Sequence, residues 1–288
     1  MQKNGNIKIY INERKQGLSY AKNIGIEISS GKYITFIDSD DVVSVNYISH
    51  LVDILENNNC DISICSTVSN DEDLDKGANE KEFVMNKKVA LKEMFYGRKF
   101  GVSSWGKMYK IFLFDNIRFP VRLLYEDLLT THKLIEKTGS IVFSERKLYC
   151  YHPFIEGTLS NTPSKNNFEQ LVFSSDEVLN YAALNYKEII NSVEIRYINN
   201  LLRCLSISFF DPILYSSIKR KIKSCELKGY FFSKSVTSKN KILLLSLLIN
   251  KRFFYFLNSI YRKSKGKTNI CSYSAAIFYS DKMIKYGK

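Results

Sequence analysis

The sequence predicts an α/β domain followed by a mainly helical, basic C-terminal region. Three observations carry this. Strand, helix, strand, helix and strand patterns succeed one another between residues 7 and 68. The second of those strands runs straight into Asp38-Ser39-Asp40-Asp41. Beyond residue 168 the apolar spacing is helical, and the charge changes sign. Residues 1–213 hold 25 Lys and Arg against 27 Asp and Glu, whereas residues 214–288 hold 17 against 2, a net of +15. Of the 288 residues, 45% are apolar and only 4 are proline, a folded composition with few of the turns a β-sandwich needs.

Taken in order, Ile7–Ile11 alternates at period two and reads as a strand. Ser19–Ser30 reads as a helix closed by Gly31. Tyr33–Ile37 is β-branched and aromatic, hence a strand, and Tyr47–Glu56 is helical in pattern. Asp61–Val68 is a buried-strand candidate, and the polar, acidic stretch 69–82 reads as a surface loop. Residues 86–97 look helical, Phe119–Thr131 forms a loop and helix, and Ile141–Tyr151 forms a strand. A turn-rich linker at Asn161–Asn167 separates the expected domains, 1–161 and 168–288. Helices are expected over Phe168–Leu184 and Ile189–Phe209. The βαβ succession implies a parallel sheet, whose ligand sits outside the carboxyl ends of the strands. That is where Asp38–Asp41 falls.

Carboxylates two residues apart beyond a strand end suit a hard divalent cation shared with substrate phosphates. A solvated acidic turn capping the helix at Asn46–Glu56 is the plainer alternative. Glu126-Asp127, after Arg118-Phe119-Pro120 and before an apolar helix, offers a general base for a hydroxyl, or a pair favoured by the helix dipole. His50 and His132 read as packing or surface residues, and Trp105 as a core anchor. The six cysteines show no CxxC spacing and no signal peptide precedes them, which points to reduced thiols in a cytoplasmic protein.

Taken together, these blocks resemble one family. Gly17-Leu18-Ser19-Tyr20-Ala21-Lys22-Asn23 through Gly25-Ile26, then Gly31-Lys32-Tyr33-Ile34-Thr35-Phe36-Ile37-Asp38-Ser39-Asp40-Asp41, is similar to the core of family 2 glycosyltransferases of the GT-A fold. Trp105-Gly106-Lys107-Met108-Tyr109, Phe119-Pro120 with Tyr125-Glu126-Asp127, and Leu148-Tyr149-Cys150-Tyr151-His152 with Gly157-Thr158 resemble three further blocks of that family, in its order. The resemblance implies sugar transfer from a nucleotide-diphosphate sugar, a UDP-sugar, to a hydroxyl of a glycan or lipid-linked acceptor. Asp38 and Asp40 would hold Mn²⁺ or Mg²⁺ and the donor. Asp127 would be the base of an inverting single displacement, with Glu126 helping to bind donor or acceptor. Lys22, His152 and Thr158 fall where the family carries residues facing the nucleotide and its diphosphate.

Some positions depart from that family. Lys22 keeps the charge of an Arg without its planar fork. Lys15 stands where Asn is usual, and His152 stands for Arg, which makes phosphate contact there conditional on protonation or turns the position into a metal ligand. Residues 1–6 supply neither the opening strand nor the Asp-Asp-Gly-Ser-type loop of the family, so the domain is expected to be N-terminally truncated. An inactive remnant, or an acceptor- or membrane-binding module, is the alternative function. The basic, aromatic segment 239–267 suits an anionic membrane surface, at the inner face of the cell membrane, or else packs as a helical subdomain. With no RRM, KH, zinc or helix-turn-helix pattern, nucleic acid is not an expected partner.

Overall fold

Helix α2 (Tyr47–Asn57) shows how the chain builds its core. Tyr47, Leu51, Ile54 and Leu55 repeat at helical spacing and lie buried on one face. They pack against Cys65, Met108, Val142, Leu148 and Tyr149 from the sheet beneath. Burying a large apolar side chain contributes roughly 1.5–3 kcal/mol, so this layer fixes the helix on the sheet. The computed structural model describes residues 9–76, 81–152, 164–208 and 212–264.

The chain divides into two compact units, Met1–Val193 and Glu194–Lys288. In the first, the elements are α1 (Leu18–Ile28), β1 (Tyr33–Thr35), β2 (Val42–Val43), α2, β3 (Ile62–Val68), β4 (Glu82–Asn86), α3 (Lys87–Tyr96), β5 (Lys107–Lys110), α4 (Glu126–Lys137), β6 (Ser140–Cys150) and α5 (Lys165–Asn185). Helix α6 (Ile190–Ser208) begins at the boundary. The division thus falls later than the expected linker at 161–167. The reason is that α5 holds to α4: Tyr181 and Tyr186 both donate to Glu136 Oε2, and both rings lie edge-on to His132. The second unit continues with α7 (Pro212–Lys223), α8 (Leu227–Phe232), α9 (Ser238–Ile249) and α10 (Lys251–Ser264). No described helix is long and apolar enough to cross a membrane.

The sheet runs β1-β5-β3-β6-β2, with β4 also on β6. It is mixed, which corrects the parallel sheet expected from the βαβ succession. Strand β5 is antiparallel to both β1 and β3, while β3 and β6 are parallel. So β1, β3 and β6 do run the same way, but β5 is inserted between the first two. Strand β6 is long enough to take β4 along Ser140–Ser144 and β2 at Tyr149–Cys150.

Two expected strands also change. Residues 7–8 lie outside the described residues, and Ile9–Ile11 pair with no strand and are exposed. Strand β1 stops at Thr35 rather than Ile37. Its partner ends at Lys107, whose carbonyl accepts from Thr35 Oγ1 at 2.7 Å, and the chain before it turns at Gly106 with φ 69°. A left-handed turn of this kind suits glycine. Phe36 leaves the ladder and packs edge-on against Tyr109, Phe114 and Phe119.

Candidate active site at the sheet's carboxyl edge

Strand β1 releases its chain into the turn Asp38–Asp41, closed by the Asp41 amide donating to the Asp38 carbonyl at 3.2 Å. The three aspartates offer oxygens that all lie within 4.8 Å of one another. Their roles differ. Asp41 accepts from the Tyr149 hydroxyl at 2.6 Å and from the His152 amide at 3.0 Å, so both of its oxygens hold the turn to β6. The Tyr149 hydroxyl also accepts from the Asp38 amide at 3.2 Å. Asp40 is exposed and Asp38 half-buried. Burial pushes the Asp38 carboxyl up to about 6, partly countered by Lys22 and reinforced by Asp127, Asp41 and Asp40. A half-buried carboxylate crowded by like charges, with only oxygen donors at hand, fits Mg²⁺ or Mn²⁺ chemistry.

The second carboxylate pair starts α4. Glu126 and Asp127 fill its first turn, where the helix dipole favours carboxylates. Their side chains turn to Lys22 of α1, whose Nζ donates to Glu126 Oε1 at 2.8 Å and to Asp127 Oδ1 at 2.9 Å. The Lys22 side chain is 5% exposed, that of Glu126 11% and that of Asp127 19%. Burial alone would lower the Lys22 pKa, but Asp127 and Glu126 outweigh it and the net direction is upward. The Lys22 ammonium thus clamps the two carboxylates. The remaining Asp127 oxygen accepts the Ser104 amide at 2.9 Å.

Neighbouring groups keep this clamp rigid. Asn23 donates to the Phe119 carbonyl at 2.8 Å and accepts the Phe119 amide at 2.9 Å, locking α1 to the loop that leads into α4. That loop takes left-handed backbone at Arg122 and Tyr125, φ 65° and 63°, to bring Glu126 and Asp127 round. Lys107 is fully buried and donates to the Ser103 carbonyl at 2.7 Å, while Tyr109 donates to the Ser104 carbonyl at 3.1 Å. Desolvation pulls the Lys107 pKa down to about 8.

His152 is held through both ring nitrogens. Its Nδ1 lies 2.8 Å from the Asp40 carbonyl and its Nε2 lies 2.8 Å from Asp71 Oδ1. Thr158 lies outside the described residues. Reading the sequence missed Asn23, Ser104, Asp71 and the stack in which Trp105 lies flat between Tyr149 and Tyr151, at ring distances of 4.8 and 5.1 Å. A signal for the stack was present. Tyr149 and Tyr151 are two apart, hence on one face of an extended chain.

Known proteins to which the chain is similar include glycosyltransferases. Residues 1–118 match the family model described as glycosyl transferase family 2. Glycosyltransferase GlyA of Streptococcus pneumoniae is 29% identical over 182 residues, 59% of this chain and 26% of its own length. Glycosyltransferase GlyG of the same organism is 27% identical over 164 residues, 52% of this chain and 54% of its own length. The chain thus spans about a quarter and about half of these two relatives. Among solved structures, residues 1–349 of Staphylococcus aureus TarS in complex with UDP-GlcNAc align with a TM-score of 0.53 at 18% identity, covering 90% of this chain and 76% of that one.

Proposed function

Since the chain belongs to the family 2 glycosyltransferases and has the GT-A fold, we propose that it moves a sugar from a UDP-sugar to a hydroxyl of a glycan or lipid-linked acceptor. The observation that carries this reading is the convergence of Asp38 and Asp127, 89 positions apart in sequence, on one electrostatic neighbourhood bridged by Lys22. The fold shared with a protein solved with UDP-GlcNAc supports a uridine nucleotide. Asp38 and Asp40 would hold Mn²⁺ or Mg²⁺, which when bound supplies Lewis-acid neutralisation of the diphosphate leaving group.

The chain's own residues do the rest. Asp127 takes the proton of the acceptor hydroxyl as its oxygen attacks the anomeric carbon in a single displacement. Each carboxylate oxygen has two lone-pair sites, so the bonds from Lys22 and Ser104 leave one on each oxygen for that proton. Those two bonds also fix the carboxylate's direction, which is what a general base needs. Glu126 shares Lys22 and keeps it from neutralising Asp127 alone.

The setting in this reading is bacterial surface polysaccharide synthesis at the inner face of the membrane. Support comes from two helices. Helix α9 leaves Ile242, Leu245 and Ile249 exposed, and α10 leaves Phe253, Phe256 and Ile260 exposed, both at the spacing i, i+3, i+7. With the net charge of +15 over 214–288, such stripes suit an anionic bilayer. Replacing Phe253, Phe256 and Ile260 together by Ser should abolish sedimentation with phosphatidylglycerol vesicles, and undiminished sedimentation would refute membrane docking by α10.

The reaction itself is tested by UDP release from a panel of UDP-sugars in the presence of Mn²⁺ and glycan acceptors. Wild type should release UDP, and Asp127→Asn should be slower by about 10²-fold or more with donor binding kept. No release from any donor by a folded chain would favour the remnant or binding-module reading.

A further inference from the structure

A second cluster of ligating side chains lies beside the aspartates and is chemically unlike them. Asp71, Cys150 and His152 each offer one donor atom, and all three atoms lie within 4.8 Å of one another. They come from the ends of two adjacent parallel strands. Cys150 is the last residue of β6, His152 follows on the same face two positions later, and Asp71 begins the short turn after β3. The positions are firmly held. Cys150 stands in register with both Val42 and Val68, and the Tyr151 amide donates to the Val68 carbonyl at 2.9 Å.

The hydrogen-bond pattern of His152 fixes one of its two ring protons. The Asp40 carbonyl can only accept, so Nδ1 carries a hydrogen and donates to it across 2.8 Å. In the neutral ring this leaves Nε2 as a lone pair, directed at the Asp71 carboxylate only 2.8 Å away and with Cys150 Sγ at 3.7 Å. Without an ion, protons of His152 and Cys150 fill the gap to Asp71; a metal ion would take their place, with one donor atom from each of the three side chains. Zn–N, Zn–O and Zn–S bonds of about 2.0, 2.1 and 2.3 Å at tetrahedral angles place neighbouring donors roughly 3.4–3.6 Å apart. The sulfur–nitrogen separation of 3.7 Å lies close to that range. The nitrogen–oxygen separation of 2.8 Å must open by about 0.6 Å, which the exposed Asp71 side chain supplies by rotation.

We propose that Asp71, Cys150 and His152 bind a Zn²⁺-class transition metal, separate from the cation site of Asp38 and Asp40. A mixed nitrogen, sulfur and oxygen set selects such an ion over Mg²⁺. On binding, the Cys150 thiol gives up its proton to solvent and the thiolate becomes the ligand. Three protein ligands leave a fourth position open. The ion ties the turn at Asp71 to the Asp40 backbone through one imidazole, so it stiffens the loop that carries the outer aspartate. This site does not depend on the proposed sugar transfer.

The test uses the full chain and Co²⁺, whose bond to a thiolate gives a charge-transfer absorption that carboxylate sites do not. Addition of Co²⁺ should develop this band to one equivalent, and Zn²⁺ should bleach it. Cys150→Ser should abolish it, whereas Cys225→Ser and Asp40→Ala should keep it. Asp71→Asn, at an exposed position where folding is not at stake, and His152→Asn should each weaken Co²⁺ affinity at least about tenfold. Absence of the band in wild type, or its survival in Cys150→Ser, overturns the proposal and leaves an imidazolium–carboxylate ion pair. Should Cys150→Ser fail to fold, unchanged affinity in both Asp71→Asn and His152→Asn overturns it equally.

Discussion

Replacing Lys22 by Met tests whether the clamp on α4 is a structural bond or a surface decoration. The change keeps an unbranched chain of similar length in α1 and deletes only the cation. Two carboxylates, 11% and 19% exposed, then stand side by side without the ammonium that touches both. Removing one partner of a buried pair costs about 3–5 kcal/mol, because the charge left behind has lost both water and partner. Asp127 keeps its bond from Ser104 and is the more exposed, which places the expected loss at the lower end, about 3 kcal/mol. Trp105 is the only tryptophan and lies in the first unit, so its fluorescence follows that unit through a urea titration. Lys22→Arg keeps the charge and offers a bidentate fork, and should lose less than about 1 kcal/mol. The pH dependence has a definite sign. The folded pKa of Lys22 is raised above its ordinary 10.5, so the contribution is fully present below 10.5 and lost only as pH rises beyond that through the folded value. A loss under about 1 kcal/mol for Lys22→Met, the value of an exposed pair, would refute the reasoning.

Other consequences follow from the same geometry. Tyr149→Phe removes the hydroxyl that joins Asp41 to the Asp38 amide, and should weaken metal-dependent nucleotide binding about tenfold in calorimetry while the melting temperature moves little. Burial lowers the His132 pKa to about 4 from its ordinary 6.5, so its neutral form contributes stability that is present above 6.5 and lost as pH falls toward 4. The full span is worth about 3 kcal/mol at most, and His132→Phe should flatten the pH dependence of the urea midpoint between those two values. Asn23→Ala breaks the reciprocal pair with the Phe119 backbone and should cost about 2 kcal/mol, read by the same fluorescence titration.

The helices were legible because their signal is local. α1, α2 and α5 repeat apolar residues at helical spacing, and the observed bounds differ from the expected ones by a few residues at most. Strand β5 was not legible. Four residues, Lys107–Lys110, place a lysine in the core and take their partners from Tyr33–Thr35 and Ile62–Ile64, far away in the chain. Missing it made the sheet look parallel. The same division holds at the site. Clustered aspartates after a strand can be seen in the sequence, and so can Glu126-Asp127. That Lys22 would bind them, across 104 and 105 positions, cannot. Nor can the two-sided contacts of His152, whose ring nitrogens reach back to Asp40 and Asp71. Long-range polar pairs are set by the tertiary fold and leave no periodic trace.

The most direct test of the account is calorimetric titration of the full chain with UDP, with and without Mn²⁺, beside Asp40→Ala. Binding should require the metal and be lost in the variant, because Asp38 and Asp40 would hold the ion that meets the diphosphate. Binding of equal strength without Mn²⁺, or undiminished in Asp40→Ala, would contradict it.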